Sequence, residues 1–238
     1  MTGYELKSGA RILIRENAPK IFVFSLIFIV LTAVMGELQL RLLGVADAYE
    51  RYLDLLIDGE QLPIGAFIAY FRPSGGPFAV LLWLLSSILD VGVMSHCLKI
   101  TRAEENDYKD LLDGFLFFGK VILLRIMTVV LIALWSLLFF FPGIAAAYRY
   151  RQAYYILLDD PKKSALTCIR ESKRLMRKRK LDLFLIDLSF IGWFLLNGLV
   201  SSALPIPFSL PIVAIFLTPY HGLTCAAFYN RIVGEIAV

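Results

Sequence analysis

Two histidines and three cysteines are all that 238 residues offer as soft or borderline metal ligands. Neither His96 nor His221 is read here at a zinc-like spacing from a second ligand, so no metal site is expected. Cys97, Cys168 and Cys225 are odd in number and none belongs to a C-x-x-C motif. They cannot pair fully within one chain, and all three are read as reduced thiols. Ser189, Ser201 and Ser202 have no adjacent His-Asp arrangement, so a serine nucleophile is not expected. Gly75-Gly76 lacks the strand and helix that frame a phosphate loop and reads as a turn. Charged residues are sparse, at 18% with a net charge of +4. The basic ones crowd into one connecting segment instead of one face of a soluble fold, which excludes nucleic acid as the expected partner. No inverted repeat is visible, and no cofactor or catalytic residue is expected: the chain reads as a non-enzyme.

What the sequence has in excess is apolar length. Hydrophobic residues make up 58% of it, and its mean hydropathy is +0.70. Soluble domains sit near 45–50% apolar by a similar count. Runs approaching 20 apolar residues are span-length segments, which a soluble core does not need. The expected fold is all-α: a single integral membrane domain over residues 1–238, a polytopic helical bundle of about six spans.

Residues 1–20 read as a cytoplasmic amphipathic lead. Leu6, Ala10, Leu13 and Ile14 recur at helical spacing opposite Lys7, Arg11 and Arg15, and this apolar face is expected on the membrane surface. No A-x-A-like site follows the first apolar run, so that run is expected to stay as a span. It starts at Ile21, after Pro19, and reaches Gly36 or, with Glu37 and Arg41 snorkelling, Leu43. Residues 45–77 form an acidic outer loop with a short amphipathic helix at Leu53, Leu56 and Ile57, closed by Pro73-Ser74-Gly75-Gly76-Pro77. Further spans are expected over 78–98, carrying Asp90, and over 121–141, carrying Arg125. Two more follow over 181–204, with Asp182 and Asp187, and 210–229, which Pro205, Pro207 and Pro211 precede. Trp83, Trp135 and Trp193 read as interface anchors or packing residues.

The segment 144–158 is apolar but short and holds Arg149 and Arg151. The positive-inside rule decides whether it crosses. Lys and Arg number four in the lead (Lys7, Arg11, Arg15, Lys20) and three in the first loop (Arg41, Arg51, Arg72). The second loop has four (Lys99, Arg102, Lys109, Lys120), and residues 162–180 have nine. Five spans leave either the nine, or the lead with the second loop, on the outside. A short returning span after a Pro142-Gly143 hairpin puts only the first loop outside. Six spans with both termini in the cytoplasm are therefore expected, with a basic amphipathic cytoplasmic helix over 159–180.

That topology places charge at membrane depth, where an Arg costs ~2.5–3.5 kcal/mol on insertion scales and faces the bundle interior. Asp90, Arg149, Arg151 and Asp187 form the candidate intramembrane charge network, with Asp187 paired to Arg149 first or to Arg151. Such a pair either fixes helix register or lines a polar path. His221 reads as a helix-to-helix hydrogen-bonding residue. A second candidate site is the basic cluster Arg170, Lys173, Arg174, Arg177, Lys178, Arg179 and Lys180, edged by Ile169, Leu175 and Met176. It is a contact for anionic lipid, worth ~1 kcal/mol per basic residue near the surface. The lipid bilayer is the expected partner; a protein partner or homo-oligomer is left open.

The second half carries a pattern in order: Trp135, Pro142-Gly143-Ile144, Tyr148, Tyr150, Asp160-Pro161, Ser172, Met176, Lys180 and Phe184, then Asp187-Leu188-Ser189-Phe190-Ile191-Gly192-Trp193, Pro219-Tyr220 and Phe228-Tyr229. This resembles the bacterial integral membrane proteins grouped as domain of unknown function family 975, over roughly residues 123–229. Where that family reads Met-x-Gly-x-Lys, this chain has Lys178 at the glycine position. The resemblance implies a helical protein of a bacterial cytoplasmic membrane and no particular activity. The residues themselves leave open a non-enzymatic accessory or lipid-interacting factor and, as the alternative, a small transporter or channel subunit using intramembrane Asp and Arg. A lipid-directed enzyme is the weakest option.

Overall fold

A computed structural model describes residues 3–57, 72–203 and 211–237, all of them helical or in turns, without a strand among the described residues. Helix α1 (Gly3–Glu16) is amphipathic as its spacing predicts, with Leu6, Ala10 and Ile14 buried. The stripe is covered by protein, however, and not left for the membrane surface. It packs on the last helix of the chain, α11 (Ala214–Ala237), so the lead is part of the bundle.

Helix α2 (Lys20–Leu42) starts after Pro19, where a missing N–H costs nothing. Gly44, at φ 75°, makes the turn into α3 (Val45–Ile57), the short amphipathic helix of the first loop. A single 3₁₀ turn, Pro73–Gly75, leads into α4 (Gly76–Thr101). Helices α2 and α4 run antiparallel. At one end a Cβ on Gly75 would fall 1.9 Å from the Leu42 carbonyl oxygen; at the other, the rings of Phe24 and His96 stack at 3.8 Å.

The second connector folds back along α4 as a ten-residue 3₁₀ helix, Tyr108–Phe117, unusually long for that geometry. Glycines permit the close approach: a Cβ on Gly92 would lie 2.2 Å from the Leu111 oxygen, and one on Gly114 2.4 Å from the Ile88 oxygen. Because 3₁₀ side chains eclipse every third residue, Asp107, Asp110 and Asp113 share a face. Asp107 and Asp110 form a reciprocal cap. Asp110 accepts from Lys99 at 2.6 Å and contacts the buried His96 at 2.8 Å, while Asp113 accepts from Ser95 at 2.6 Å and Lys99 at 2.8 Å.

Helix α5 (Phe118–Leu138) turns into α6 (Phe140–Tyr150) through an extended Phe139. The hairpin therefore turns before the Pro142-Gly143 pair expected to make it. Pro142 lies in the first turn of α6, which proline tolerates, and Gly143 lets α6 lie on α5, where a Cβ would meet Cα of Ser136 at 3.1 Å. A turn at Arg151 and Gln152 separates α6 from α7 (Ala153–Asp159). Ser164 caps α8 (Ala165–Leu175), accepting from the Thr167 N–H at 3.2 Å. Helices α9 (Lys180–Leu188) and α10 (Ile191–Ala203) are one apolar segment bent by 40°. Ser189 at the bend donates back to the Ile186 carbonyl at 2.6 Å, a bond that bends helices. Lys7 of α1 reaches the Ser189 hydroxyl at 3.0 Å and its carbonyl at 3.4 Å.

Three helical stretches, Lys20–Leu42, Pro73–Thr101 and Tyr108–Leu138, are long and apolar enough to cross a membrane, and the bent α9–α10 pair makes a fourth. The two other expected spans do not pass on length and hydropathy. α6–α7 carries two arginines, and α11 carries Pro219 and His221. Much of α11 nevertheless faces the bundle: Leu217, Leu223, Thr224, Ala226, Phe228 and Ile232 are all buried. The predicted turn around Pro205 and Pro207 lies outside the described residues.

The ends of the bundle differ. At one end Lys20 bonds the Asn106 carbonyl, and Arg102 bonds Asp159 at 2.7 Å and Asn230 at 3.0 Å. Lys120 bonds the Pro161 carbonyl there, and Arg179 pairs with Glu235 at 2.5 Å. The lead, second connector, α7–α9 junction and C-terminal helix thus converge. At the other end Arg72 donates to Leu43 and pairs with Asp47 at 2.7 Å.

Candidate functional site

Asp187, near the end of α9, is the hub of the polar interior. It accepts from Arg151 at the α6–α7 junction, from Tyr148 Oη at 2.9 Å, and contacts His221 Nε2 of α11 at 2.9 Å. Tyr148 and Arg151 stand three residues apart and so share one helix face. Arg151 also lies 3.4 Å from both His221 Nε2 and Cys225 Sγ. Counting eight residues back from Asp159 at 1.5 Å per residue puts Arg151 about 12 Å into the bundle from its polar end.

Of the two sequence-level pairings, the structure makes Arg151–Asp187 and not Arg149–Asp187. Two residues along a helix are a half-turn apart, so Arg149 points elsewhere: its guanidinium lies 5.4 Å over the Trp135 ring, and its carbonyl accepts from Ser172 at 2.8 Å. Asp90 does not join the pair either. It lines a neighbouring cavity, and Arg125, a charge acting on it, sits 4.9 Å over the Trp83 ring.

His221 and Cys225 were not legible as partners until placed four apart on one helix. With Asp187 they offer nitrogen, sulfur and oxygen ligand atoms all within 4.8 Å of one another. The guanidinium of Arg151 touches all three, in the place a bound cation would take. Nor is this a thiol-imidazole-carboxylate relay. Nε2 of His221 makes both the contact to Asp187 at 2.9 Å and that to Cys225 at 3.6 Å, whereas a relay uses the two ring nitrogens separately.

Two cavities flank this bridge. One, about 350 Å³, lies between α2, α4, α10 and α11, with Asp90, Arg151, His221 and Cys225 in its wall. The other, about 360 Å³, opens between α6, α9 and α10 and is walled by Tyr148, Arg151, Asp187 and His221. Sequence reasoning also missed the His96–Asp110–Lys99–Asp113 network. Its signal was the three-residue aspartate period facing Ser95, His96 and Lys99 at the end of a span.

The basic cluster occupies the polar end. Ala165, Cys168, Ile169, Ser172 and Met176 are buried, while Arg170, Lys173, Arg174, Arg177 and Lys178 are exposed around the opposite face. Arg179 is spent on Glu235. Lys178 carries the turn between α8 and α9 at φ 70°.

An all-helical bundle with three or four lipid-length helices, a polar interior and a basic end defines a multi-pass membrane protein. Residues 140–235 match the family described as Protein of unknown function (DUF975), the family its motif order resembles. No curated protein and no solved structure matches the chain.

Proposed function

We propose that this chain is a non-enzymatic membrane protein of the bacterial cytoplasmic membrane, an accessory factor that engages anionic lipid through its basic end. One observation carries the reading. The side chains of Arg170, Lys173, Arg174, Arg177 and Lys178 make no hydrogen bond or ion pair to the described residues, although Ala165, Cys168, Ile169 and Ser172 on the opposite face of α8 are buried. Cations needed for internal structure would be paired, as Arg179 is. An exposed row beside the bilayer instead adds ~1 kcal/mol of attraction to anionic lipid per residue.

Purified chain exchanged into mixed micelles with phosphatidylglycerol or phosphatidylcholine tests this. The wild type should retain several-fold more of the anionic lipid, with the excess falling as salt screens it. Replacing Lys173, Arg174, Arg177 and Lys178 together by Gln should abolish the preference. Equal retention of both lipids by the wild type would refute the reading.

A second reading, a small transporter or channel subunit, is favoured by Asp90, which lines a cavity between the helices and makes no hydrogen bond or ion pair to the described residues.

A further inference from the structure

We propose that the 350 Å³ cavity between α2, α4, α10 and α11 is a binding site for a small organic ammonium ion, with Asp90 as its counter-ion. The argument starts from cost. A carboxylate at membrane depth is expensive unless something answers its charge, and such residues mark ligand or ion sites. Asp90 makes no hydrogen bond or ion pair to the described residues. It stands on α4 eleven residues before Thr101, about 16 Å from the polar end at 1.5 Å per residue. The bundle answers Asp187, by contrast, three times over, from Arg151, Tyr148 and His221. Among the described residues Asp90 has only the longer-range charge of Arg125 to answer it.

The rest of the wall selects the class of ligand. Phe28, Tyr155 and Phe194 bring aromatic rings to the cavity, and Thr218 and Asn197 bring oxygens. The amide oxygen of Asn197 is buried without a hydrogen-bond partner. One carboxylate, acceptor oxygens and aromatic faces suit an alkylated ammonium, which gains from ring faces as well as from the charge. A bare alkali ion would need a closer shell of oxygens than one carboxylate and two side-chain oxygens supply. The volume lies in the range of small-molecule pockets. Arg151 also reaches this cavity, but its charge is met by Asp187 on its other side. His221 on the same wall is likewise held by Asp187, which leaves Asp90 as the carboxylate lining this cavity without a hydrogen bond or ion pair to the described residues. The site is separate from the basic end and does not depend on the lipid reading.

The test uses the full chain purified in an uncharged detergent, with thermal unfolding followed against increasing choline or tetramethylammonium chloride. Sodium chloride at equal ionic strength and 3,3-dimethylbutanol, the uncharged isostere of choline, serve as controls. A ligand held by the native state raises the melting temperature with its concentration. The ammonium probes should do so and the two controls should not. Asp90→Asn should weaken the apparent affinity at least tenfold, and Asp90→Glu should retain part of it. If Asp90→Asn does not fold, Phe28→Leu and Phe194→Leu carry the test, and each should weaken the response several-fold. No rise with either ammonium probe would overturn the assignment. So would an equal rise with sodium chloride, an undiminished response in Asp90→Asn, or an undiminished response in both Phe variants.

Discussion

Lys178 holds a backbone shape that costs an L-residue free energy. At φ 70° its Cβ crowds the neighbouring carbonyl, a strain of roughly 1–2 kcal/mol that glycine avoids. The Met-x-Gly-x-Lys pattern that this segment resembles has glycine at this position, where this chain has lysine. Lys178→Gly should therefore raise the stability of the purified chain by about 1 kcal/mol, less what glycine's freedom returns to the unfolded chain. Lys178→Ala should give no such gain, and thermal unfolding of the three proteins side by side checks both statements. At this scale the sequence was partly readable. Asp187 was recognisable as a charge needing a partner, but the choice between Arg149 and Arg151 depended on the rotation of α6. Tyr148, three residues before Arg151, held that information, because two polar groups on one helix face point to the same acceptor.

The elements that meet at Asp187 are α6, α9 and α11, and the pair with Arg151 locks their rotations. Removing one partner of a buried pair strands the other, at roughly 3–5 kcal/mol. Here the side chains keep 29% and 21% exposure, so a loss of about 1–3 kcal/mol is expected for Asp187→Asn or Arg151→Gln. The double change should cost less than the sum of the two, because no charge is left stranded. Strict additivity in detergent unfolding experiments would show that the pair does not couple these helices, and Arg149→Gln should be the milder single change. Element existence was legible where the pattern was strong: α1 follows its apolar spacing, and α2, α4 and α5 follow their long apolar runs. The bend between α9 and α10 was hidden in an unbroken apolar run, since it arises from one serine and a lysine from α1. The 3₁₀ connector was hidden because its three-residue period of aspartates reads as ordinary loop polarity.

The whole molecule sorts its charge by end, and this bears on topology independently of counting lysines and arginines. If residues 144–158 failed to cross, the segment after Asp159 would sit at the end opposite the second connector. Instead Arg102 bonds Asp159, and Lys120 bonds the carbonyl of Pro161. The connector and the basic helix therefore share one end, with α6–α7 returning the chain along α5. The first loop, tied together by Arg72, Asp47 and Leu43, lies at the other. Basic loops stay on the cytoplasmic side, so Lys173 should be cytoplasmic and Tyr49 of α3 external. Cys97, Cys168 and Cys225 are all buried, which keeps background labelling low. An impermeant maleimide applied to intact cells should label Tyr49→Cys and leave Lys173→Cys untouched until the membrane is permeabilised. Labelling of Lys173→Cys from outside would invert the molecule. Labelling of both positions from outside would mean that residues 45–57 and 162–180 share a side, so that an odd number of crossings could not separate them and the returning span would be lost.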